Sequence, residues 1–463
     1  MNIYYGNTVG FGCGEFGLLG PIGADDNDEV LTPRLLVDLL DRNIIQVACG
    51  SSSLALTMNG EVFAWGKGDD GDDGDDIKPP VRIEGFRPYP YRNGPNNQTD
   101  AFIKQIAAGR SHFLALSSEG DVYVWGNYRD RGSGQILRHT NMDNDNESSE
   151  GSQDRTVHHL AGMKAKRISC GENFCAALLQ DNTLVTWGIG TSGRLARQVS
   201  LMNDTSDEAV NDYLRPKPPL WDRVSMPGEK RKVLSMACGY DHLLVVTEDH
   251  AVYSSGSNTH GQLGHGDKVG REILTEITHL RRENIADVSA GNRFSYFVDQ
   301  TRTKIFACGI GDCGQLGIPV NIPIPHYYSE TRPRRVPLIY DSSESTDDLQ
   351  IIEKDQPRVR DISCGYNHVL ALTDEGDAYS WGRCDSGKCG LGIGEGVEVR
   401  PKKLESKLIK KFLCLSAGDD LSLAVATVDE KHLCMTKQMA AFVHKENPGR
   451  IGEVAPWLEK IIG

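Results

Sequence analysis

The amino-acid sequence predicts an all-β fold, a seven-bladed β-propeller closed by an N-terminal strand. Three observations predict it: a repeated segment, an excess of glycine, and an incomplete repeat at each end of the chain. Glycine accounts for 50 of the 463 residues, well above the usual ~7%. Glycine at this level without a collagen-like period indicates many tight turns between short strands.

The repeated segment has a small residue, a glycine, an alternating apolar strand, a tight turn and a second strand that usually ends in an aromatic residue and a glycine. Two such strands around a tight turn form a β-hairpin. One hairpin unit cannot bury both of its faces, so we expect the units to pack side by side into a ring. The copies are 52 to 74 residues apart and begin at Cys49, Ala108, Cys170, Cys238, Ala290, Cys364 and Ala417.

The two ends of the chain predict how the ring closes. Residues 8–12 resemble the final strand of a repeat, whereas the seventh copy lacks its aromatic–glycine ending. We therefore expect a strand near Val9 and Phe11 to complete the seventh blade and remove an open sheet edge. The propeller is expected to occupy residues 1–428, and residues 429–463 to form one or two short helices docked on it.

Composition and charge argue against several classes of function. The formal net charge is −14, which disfavours binding of DNA phosphates over the whole surface and favours basic protein partners. No run of 18 apolar residues indicates a membrane span, and the N-terminus lacks the basic and apolar regions of a secretory signal. The twelve cysteines are therefore expected to be reduced thiols.

Motifs that carry chemistry in other proteins have simpler explanations here. Gly-x-Gly-x-x-Gly begins at residues 12, 188 and 309, but it recurs at repeat ends rather than between a strand and a helix. Cysteines that share one repeat position with alanines indicate a small buried residue, not a metal-ligand set. The spacings Cys308/Cys313 and Cys384/Cys389 are not typical of zinc sites. We expect no cofactor, no metal site and no covalent catalysis.

An acidic run covers residues 69–76. It lacks the distal glutamate and flanking helices of an EF-hand. Two interpretations stay open for it: a solvated loop, or an acidic patch that steers a basic partner.

The repeat itself resembles the regulator-of-chromosome-condensation family. Seven copies occur, with the sequence GQLG after the aromatic–glycine ending at residues 261–264 and 314–317. Members of this family act as exchange factors for the small GTPase Ran, as ubiquitin-ligase accessory domains, as light sensors or as ciliary scaffolds. Two loops are similar to those of the exchange factors: Tyr128-Arg129-Asp130 after the second copy, and the long insertion that follows residue 193 in the third.

The resemblance implies a guanine-nucleotide exchange factor that binds a small GTPase of the Ran type on one face and performs no covalent chemistry. It also implies histones or chromatin on the opposite face, a monomer without membrane contact, and a nuclear or nucleocytoplasmic location. The GTPase-binding residues that it implies are Arg129, Asp130, Leu137, Arg138, His139, Asn173, Asp241, His242, Asn367 and His368.

Histidine positions depart from the family pattern. Family exchange factors carry histidines in the third, fifth and seventh turns, where this chain has Phe174, Phe294 and Leu421. Here the second, fourth and sixth copies carry them instead, at His112, His242 and His368. Each of these three either bonds the adjacent blade or contacts a partner directly. The alternative function is a propeller scaffold for protein–protein interaction without exchange activity.

Overall fold

In the part of the chain that the structure describes, seven blades surround a central channel. This computed structural model describes residues 5–14, 19, 29–50, 52–66, 79–86, 101–129, 136–137, 157–198, 212–222, 231–318, 324, 326–339 and 356–446. Each blade runs from an inner strand beside the channel to an outer strand at the rim.

The seventh blade joins the two ends of the chain. Its strand order is β2-β1-β28-β27, and Val9 of β1 pairs with Ala424 of β28. This is the arrangement that the incomplete repeats predict. The backbone N–H of Cys49 in the first blade donates to Ser416 Oγ of the seventh at 3.0 Å, so the first and last blades meet. The strands of this blade are β1 (Asn7–Cys13), β2 (Glu29–Leu35), β27 (Ile409–Ala417) and β28 (Leu421–Val428).

Four blades consist of four consecutive antiparallel strands. The first contains β3 (Ile44–Cys49), β4 (Ser52–Thr57), β5 (Val62–Gly66) and β6 (Val81–Ile83). The fourth contains β15 (Val233–Cys238), β16 (His242–Thr247), β17 (Val252–Gly256) and β18 (Arg271–Glu276). The fifth contains β19 (Ile285–Ala290), β20 (Phe294–Asp299), β21 (Ile305–Ile310) and β22 (Ser329–Val336). The sixth contains β23 (Val359–Cys364), β24 (His368–Thr373), β25 (Ala378–Arg383) and β26 (Val397–Lys403).

The second and third blades share one long strand, β12 (His158–Cys170). Its first part pairs with β9 as the outer strand of the second blade, and its last part pairs with β13 as the inner strand of the third. The second blade also contains β7 (Ile103–Ala108), β8 (His112–Ser117) and β9 (Asp121–Gly126). The third also contains β13 (Phe174–Leu179) and β14 (Leu184–Gly188). A short ribbon of β10 (Tyr128–Arg129) and β11 (Ile136–Leu137) follows the second blade's third strand.

Burial explains the apolar runs of the second strands. All six residues of β8, of β16 and of β24 are buried, because neighbouring blades cover both faces of each sheet. A sheet covered on both faces needs apolar side chains on both, so alternation gives way to runs such as LLVV. Each buried Leu or Val contributes about 1.5–3 kcal/mol relative to an exposed one.

Glycines permit the close approach of blades at the channel. A Cβ atom added to Gly50 would lie 2.0 Å from the carbonyl oxygen of Gly109 in the next blade. The glycine of the aromatic–glycine ending has a different reason: Gly382 has a φ of +106°, a conformation that side chains disfavour. The repeat therefore requires both of its glycines, one for space and one for backbone conformation.

One helix, α1 (Glu430–Glu446), follows the seventh blade. The backbone N–H of Lys431 donates to Asp429 Oδ1 at 3.1 Å and caps its first turn. Leu433 packs against the apolar core, and Lys437 Nζ lies 2.5 Å from Asp41 Oδ1. At 17 residues the helix is longer than the short ones expected, and a second predicted helix would fall beyond residue 446, outside the described residues. Among the described residues, no helix is long and apolar enough to cross a membrane.

Candidate partner-binding face

One face of the ring carries the turns between the first and second strand of every blade; we call it the turn face, and the opposite side the hairpin face. The third strand of each blade also ends there, since His242 pairs with Gly256 and His368 with Gly382. Loops that follow the third strands therefore share this face with the turns. Of the expected GTPase-binding residues, Asn173, Asp241 and Asn367 lie in its turns, and His242 and His368 begin the strands that follow those turns.

The ribbon after the second blade holds two more expected residues by their backbone. Arg129 pairs with Ile136, and Tyr128 pairs with Leu137. The root of this ribbon is fixed, because Trp187 Nε1–H donates to Tyr128 Oη at 3.0 Å and the tyrosine ring stacks on His112 at 4.3 Å. Asp130, Arg138 and His139 lie outside the described residues.

The buried histidines bond the adjacent blade. His242 Nε2 lies 2.9 Å from Ser295 Oγ, and His368 Nε2 lies 2.8 Å from Ser422 Oγ. Both imidazoles have no solvent exposure. Of the two interpretations left open by the sequence, the described geometry corresponds to the bond between blades, and it leaves these two rings no exposed surface for a partner.

The protonation state of these histidines follows from their surroundings. Each serine hydroxyl donates onward to a carbonyl oxygen, Ser295 to Gln262 at 2.6 Å and Ser422 to Lys388 at 2.8 Å. The serine oxygen is thus left to accept from the imidazole Nε2–H. Burial lowers the pKa of His242 to about 3. Burial and the nearby charge of Lys388 hold the pKa of His368 well below its usual value, so both rings are neutral at pH 7.

Histidines in alternate copies have partners in the copies between them. The second residue of β20 is Ser295, and that of β28 is Ser422; in β13 the same position is Cys175, next to His112. Alignment of the seven copies would have shown this pairing, because a histidine in one copy coincides with Ser or Cys in the next.

Two ion pairs connect loops of the turn face to the following blade. Arg194 lies 2.6 Å from Asp241, and Lys388 lies 2.6 Å from Asp420. The side chains of Arg194 and Lys388 are only 7% and 4% exposed, so each cation is buried beneath the loop that carries it. The expected site residue Asp241 is therefore already engaged by a cation. Asn173 is also buried, whereas Asn367 is partly exposed.

Aromatic and acidic residues at the channel mouth were not predicted from the sequence. The inner strands and turns enclose a cavity of about 380 Å³. At its rim Tyr240 and Tyr366 meet edge to face, with ring centroids 6.2 Å apart, and both are partly exposed. Asp419 and Asp420 are exposed in the turn of the seventh blade. Their repeat positions vary from copy to copy, so no periodic signal marks them.

The fold and the turn face define a class, the β-propellers built from seven repeats whose glycine-rich turns surround one channel mouth. Comparison with protein families agrees: the model of the RCC1-like domain matches residues 7–430. The chain belongs to the RCC1-like domain family.

Relatives within this family include a light receptor, a ubiquitin ligase and a protein that binds Gsp1p and histones. The ultraviolet-B receptor UVR8 of Arabidopsis thaliana is 29% identical over 411 residues, covering 86% of this chain and 77% of that protein. The mouse E3 ubiquitin-protein ligase HERC2 is 27% identical over 89% of this chain, but the match spans only 7% of the ligase. Among solved structures, Prp20p of Saccharomyces cerevisiae, studied with its binding to Gsp1p and histones, superimposes with a TM-score of 0.71 at 22% identity over 96% of both chains. The structural likeness shows the shared fold.

Proposed function

We propose that this propeller is a guanine-nucleotide exchange factor for a small GTPase of the Ran type, which it binds on the turn face. The observation that carries the proposal is the common placement of the exchange-factor-like ribbon at Arg129 and the turns containing Asp241 and Asn367. The reported binding of Prp20p to Gsp1p supports a GTPase partner. Histones or chromatin on the hairpin face, a nuclear location and a monomeric state are proposed on the same resemblance.

Exchange on this face would proceed by linked binding equilibria. If the propeller binds the nucleotide-free GTPase more tightly than the loaded one, thermodynamic linkage requires that it weaken nucleotide binding by the same factor. No bond is made or broken by the propeller. The chain's task is to present a preformed surface, and the hydrogen bonds that join its blades keep that surface rigid.

The described turn face has the chemistry of a protein-binding surface. Tyrosines are frequent energetic anchors of interfaces, and Tyr240 and Tyr366 lie together at its centre. Exposed Asp419 adds negative potential beside them, whereas the charge of Asp420 is offset by its ion pair with Lys388. Negative potential here favours approach of a basic partner surface. In this proposal the tyrosines bury against the GTPase and the Asp419 carboxylate helps to orient it.

A stopped-flow measurement tests the function. Release of a fluorescent GDP analogue from Ran is followed with the full chain and with buffer alone. We expect clear acceleration, and an at least tenfold slower release with Asp130→Ala, because loss of one partner from a desolvated charge contact typically costs about 2–5 kcal/mol. Glu248→Ala, an exposed change on the hairpin face, is the matched control.

The alternative is a scaffold that binds proteins without nucleotide exchange. It is favoured by His242 and His368, which serve the blade interfaces, and by relatives such as a light receptor and a ubiquitin ligase. If GDP release is no faster with the protein than in buffer, the scaffold function replaces the exchange function. If the wild type is active and Asp130→Ala is equally active, the exchange function stands and Asp130 is not part of the site.

A further inference from the structure

A cluster of three metal-ligand side chains lies beneath the ribbon of the turn face. The ligand atoms of His112, Cys170 and Cys175 all lie within 4.8 Å of one another. They come from three different strands, β8, β12 and β13, in two blades. His112 and Cys175 have no solvent exposure.

The histidine of this cluster lacks the partner that its counterparts have. His242 and His368 each bond a serine, whereas His112 faces the sulfur of Cys175 at the equivalent position. A thiol is a weaker hydrogen-bond partner for a buried imidazole than a hydroxyl is. A metal ion bound by one ring nitrogen and by the Cys175 sulfur would give both buried groups a stronger partner.

The distances suit a metal ion with thiolate ligands. Two sulfurs bonded tetrahedrally to Zn²⁺ at ~2.3 Å lie roughly 3.8 Å apart, and Cys170 Sγ is 3.9 Å from Cys175 Sγ. Tyr128 Oη lies 3.6 Å from Cys175 Sγ, so the phenol or a water can take a fourth position. Cys170 lines the central channel, which provides a route of entry.

We propose that His112, Cys170 and Cys175 form a binding site for one thiophilic d¹⁰ cation, Zn²⁺ or Cu⁺. Soft thiolates together with an imidazole select such ions over Mg²⁺ or Ca²⁺. A bound ion would connect the second and third blades directly below Tyr128, the root of the ribbon. From the sequence we expected no metal site, because Cys170 shares a repeat position with alanines. His112 belongs to the preceding copy and meets Cys170 only in the folded chain.

The repeat supplies conservative variants for the test. Cys175→Ser gives the third blade a serine at the position where Ser295 of the fifth blade and Ser422 of the seventh each bond a histidine of the preceding blade. Cys170→Ala places there the alanine of Ala108, Ala290 and Ala417. Both changes follow residues that the same fold already accepts, so we expect folded proteins. Cys238→Ala removes a cysteine at the same repeat position of the fourth blade and is the control with an equal number of thiols.

The experiment titrates the reduced full chain with Zn²⁺ and, separately, with Cu⁺ under anaerobic conditions against a chromophoric chelator. Elemental analysis after desalting gives the stoichiometry. We expect one tightly held ion in the wild type and in Cys238→Ala. Cys170→Ala and Cys175→Ser should lose more than the roughly 10- to 100-fold in affinity that loss of an outer-shell group costs. Circular dichroism verifies folding.

Three results would overturn the proposal: neither ion is retained by the wild type, Cys175→Ser binds as tightly as the wild type, or Cys238→Ala loses binding equally. The third result would show adventitious binding to thiols in general. The separate titrations show which ion binds more tightly. A site with three ligands and without Tyr128 favours Cu⁺, and a four-coordinate site favours Zn²⁺. None of these outcomes depends on exchange activity.

Discussion

His242 donates to Ser295 on the next blade across 2.9 Å, and Ser295 donates in turn to the carbonyl oxygen of Gln262. Gln262 belongs to the loop that follows the third strand of the histidine's own blade. The chain of bonds therefore joins a turn, the neighbouring blade and a surface loop. His368, Ser422 and Lys388 repeat the arrangement between the sixth and seventh blades.

This arrangement predicts a loss of stability in mild acid. Because the pKa of His242 falls to about 3 in the folded state, the unfolded chain, with a pKa of about 6.5, binds a proton that the native state does not. Stability is fully present above pH 6.5 and declines as pH falls from there towards 3, by up to ~1.4 kcal/mol per pH unit. At pH 5 this amounts to about 2 kcal/mol.

Urea unfolding at pH 7 and pH 5 measures the effect. His242→Phe introduces the residue type that the third and fifth blades have at the equivalent position, Phe174 and Phe294. In this variant Ser295 keeps its bond to Gln262. We expect the variant to lose less stability between the two pH values than the wild type. An equal loss would show that His242 does not titrate as its burial requires.

The glycine at the channel makes a second prediction. Gly50→Ala would place a Cβ atom 2.0 Å from a backbone oxygen of the next blade. Overpacking of this kind typically costs about 1–3 kcal/mol, and more where the backbone must move. Gly394→Ala is the control, since its nearest neighbour is the flexible end of Glu29 at 3.0 Å. Thermal melts should show a lower Tm for Gly50→Ala alone; matched melting curves would contradict the steric argument.

The ion pair of Arg194 and Asp241 permits a double-mutant test. Arg194→Gln leaves the carboxylate beside a neutral group, and loss of a partner from a partly buried charge costs about 1–3 kcal/mol. Adding Asp241→Asn to this variant should recover much of the lost stability. The double variant then has Gln and Asn at the two positions where the fifth and sixth blades have Gln315 and Asn367. Chemical denaturation of the four proteins gives the coupling free energy. A double variant as unstable as the sum of the singles would rule out the pairing.

Local patterns predicted the blades, the hairpins and the N-terminal strand of the seventh blade, because strands and tight turns depend on residues close in sequence. Contacts between blades were harder, since Ser295 lies 53 residues from His242. The part that the strand β12 plays in two blades was not predicted, although Gly162, with a φ of +76°, lies between its outer and inner parts. Cys170 was assigned by its repeat position alone, and only folding brings His112 to it.

The last prediction concerns Tyr366, which packs edge to face on Tyr240 at the channel mouth of the turn face. If a GTPase binds there, Tyr366→Ala removes an aromatic anchor, and removal of such an anchor costs 2 kcal/mol or more, about thirtyfold in affinity. Tyr366→Phe keeps the ring and should bind within a few fold of wild type, since the edge-to-face contact needs only the ring. Binding of nucleotide-free Ran, measured by biolayer interferometry, should weaken in the alanine variant and remain in the phenylalanine variant and in Glu248→Ala. Unchanged binding by Tyr366→Ala would move the contact away from the channel mouth. Equal weakening by Glu248→Ala would instead place it on the hairpin face.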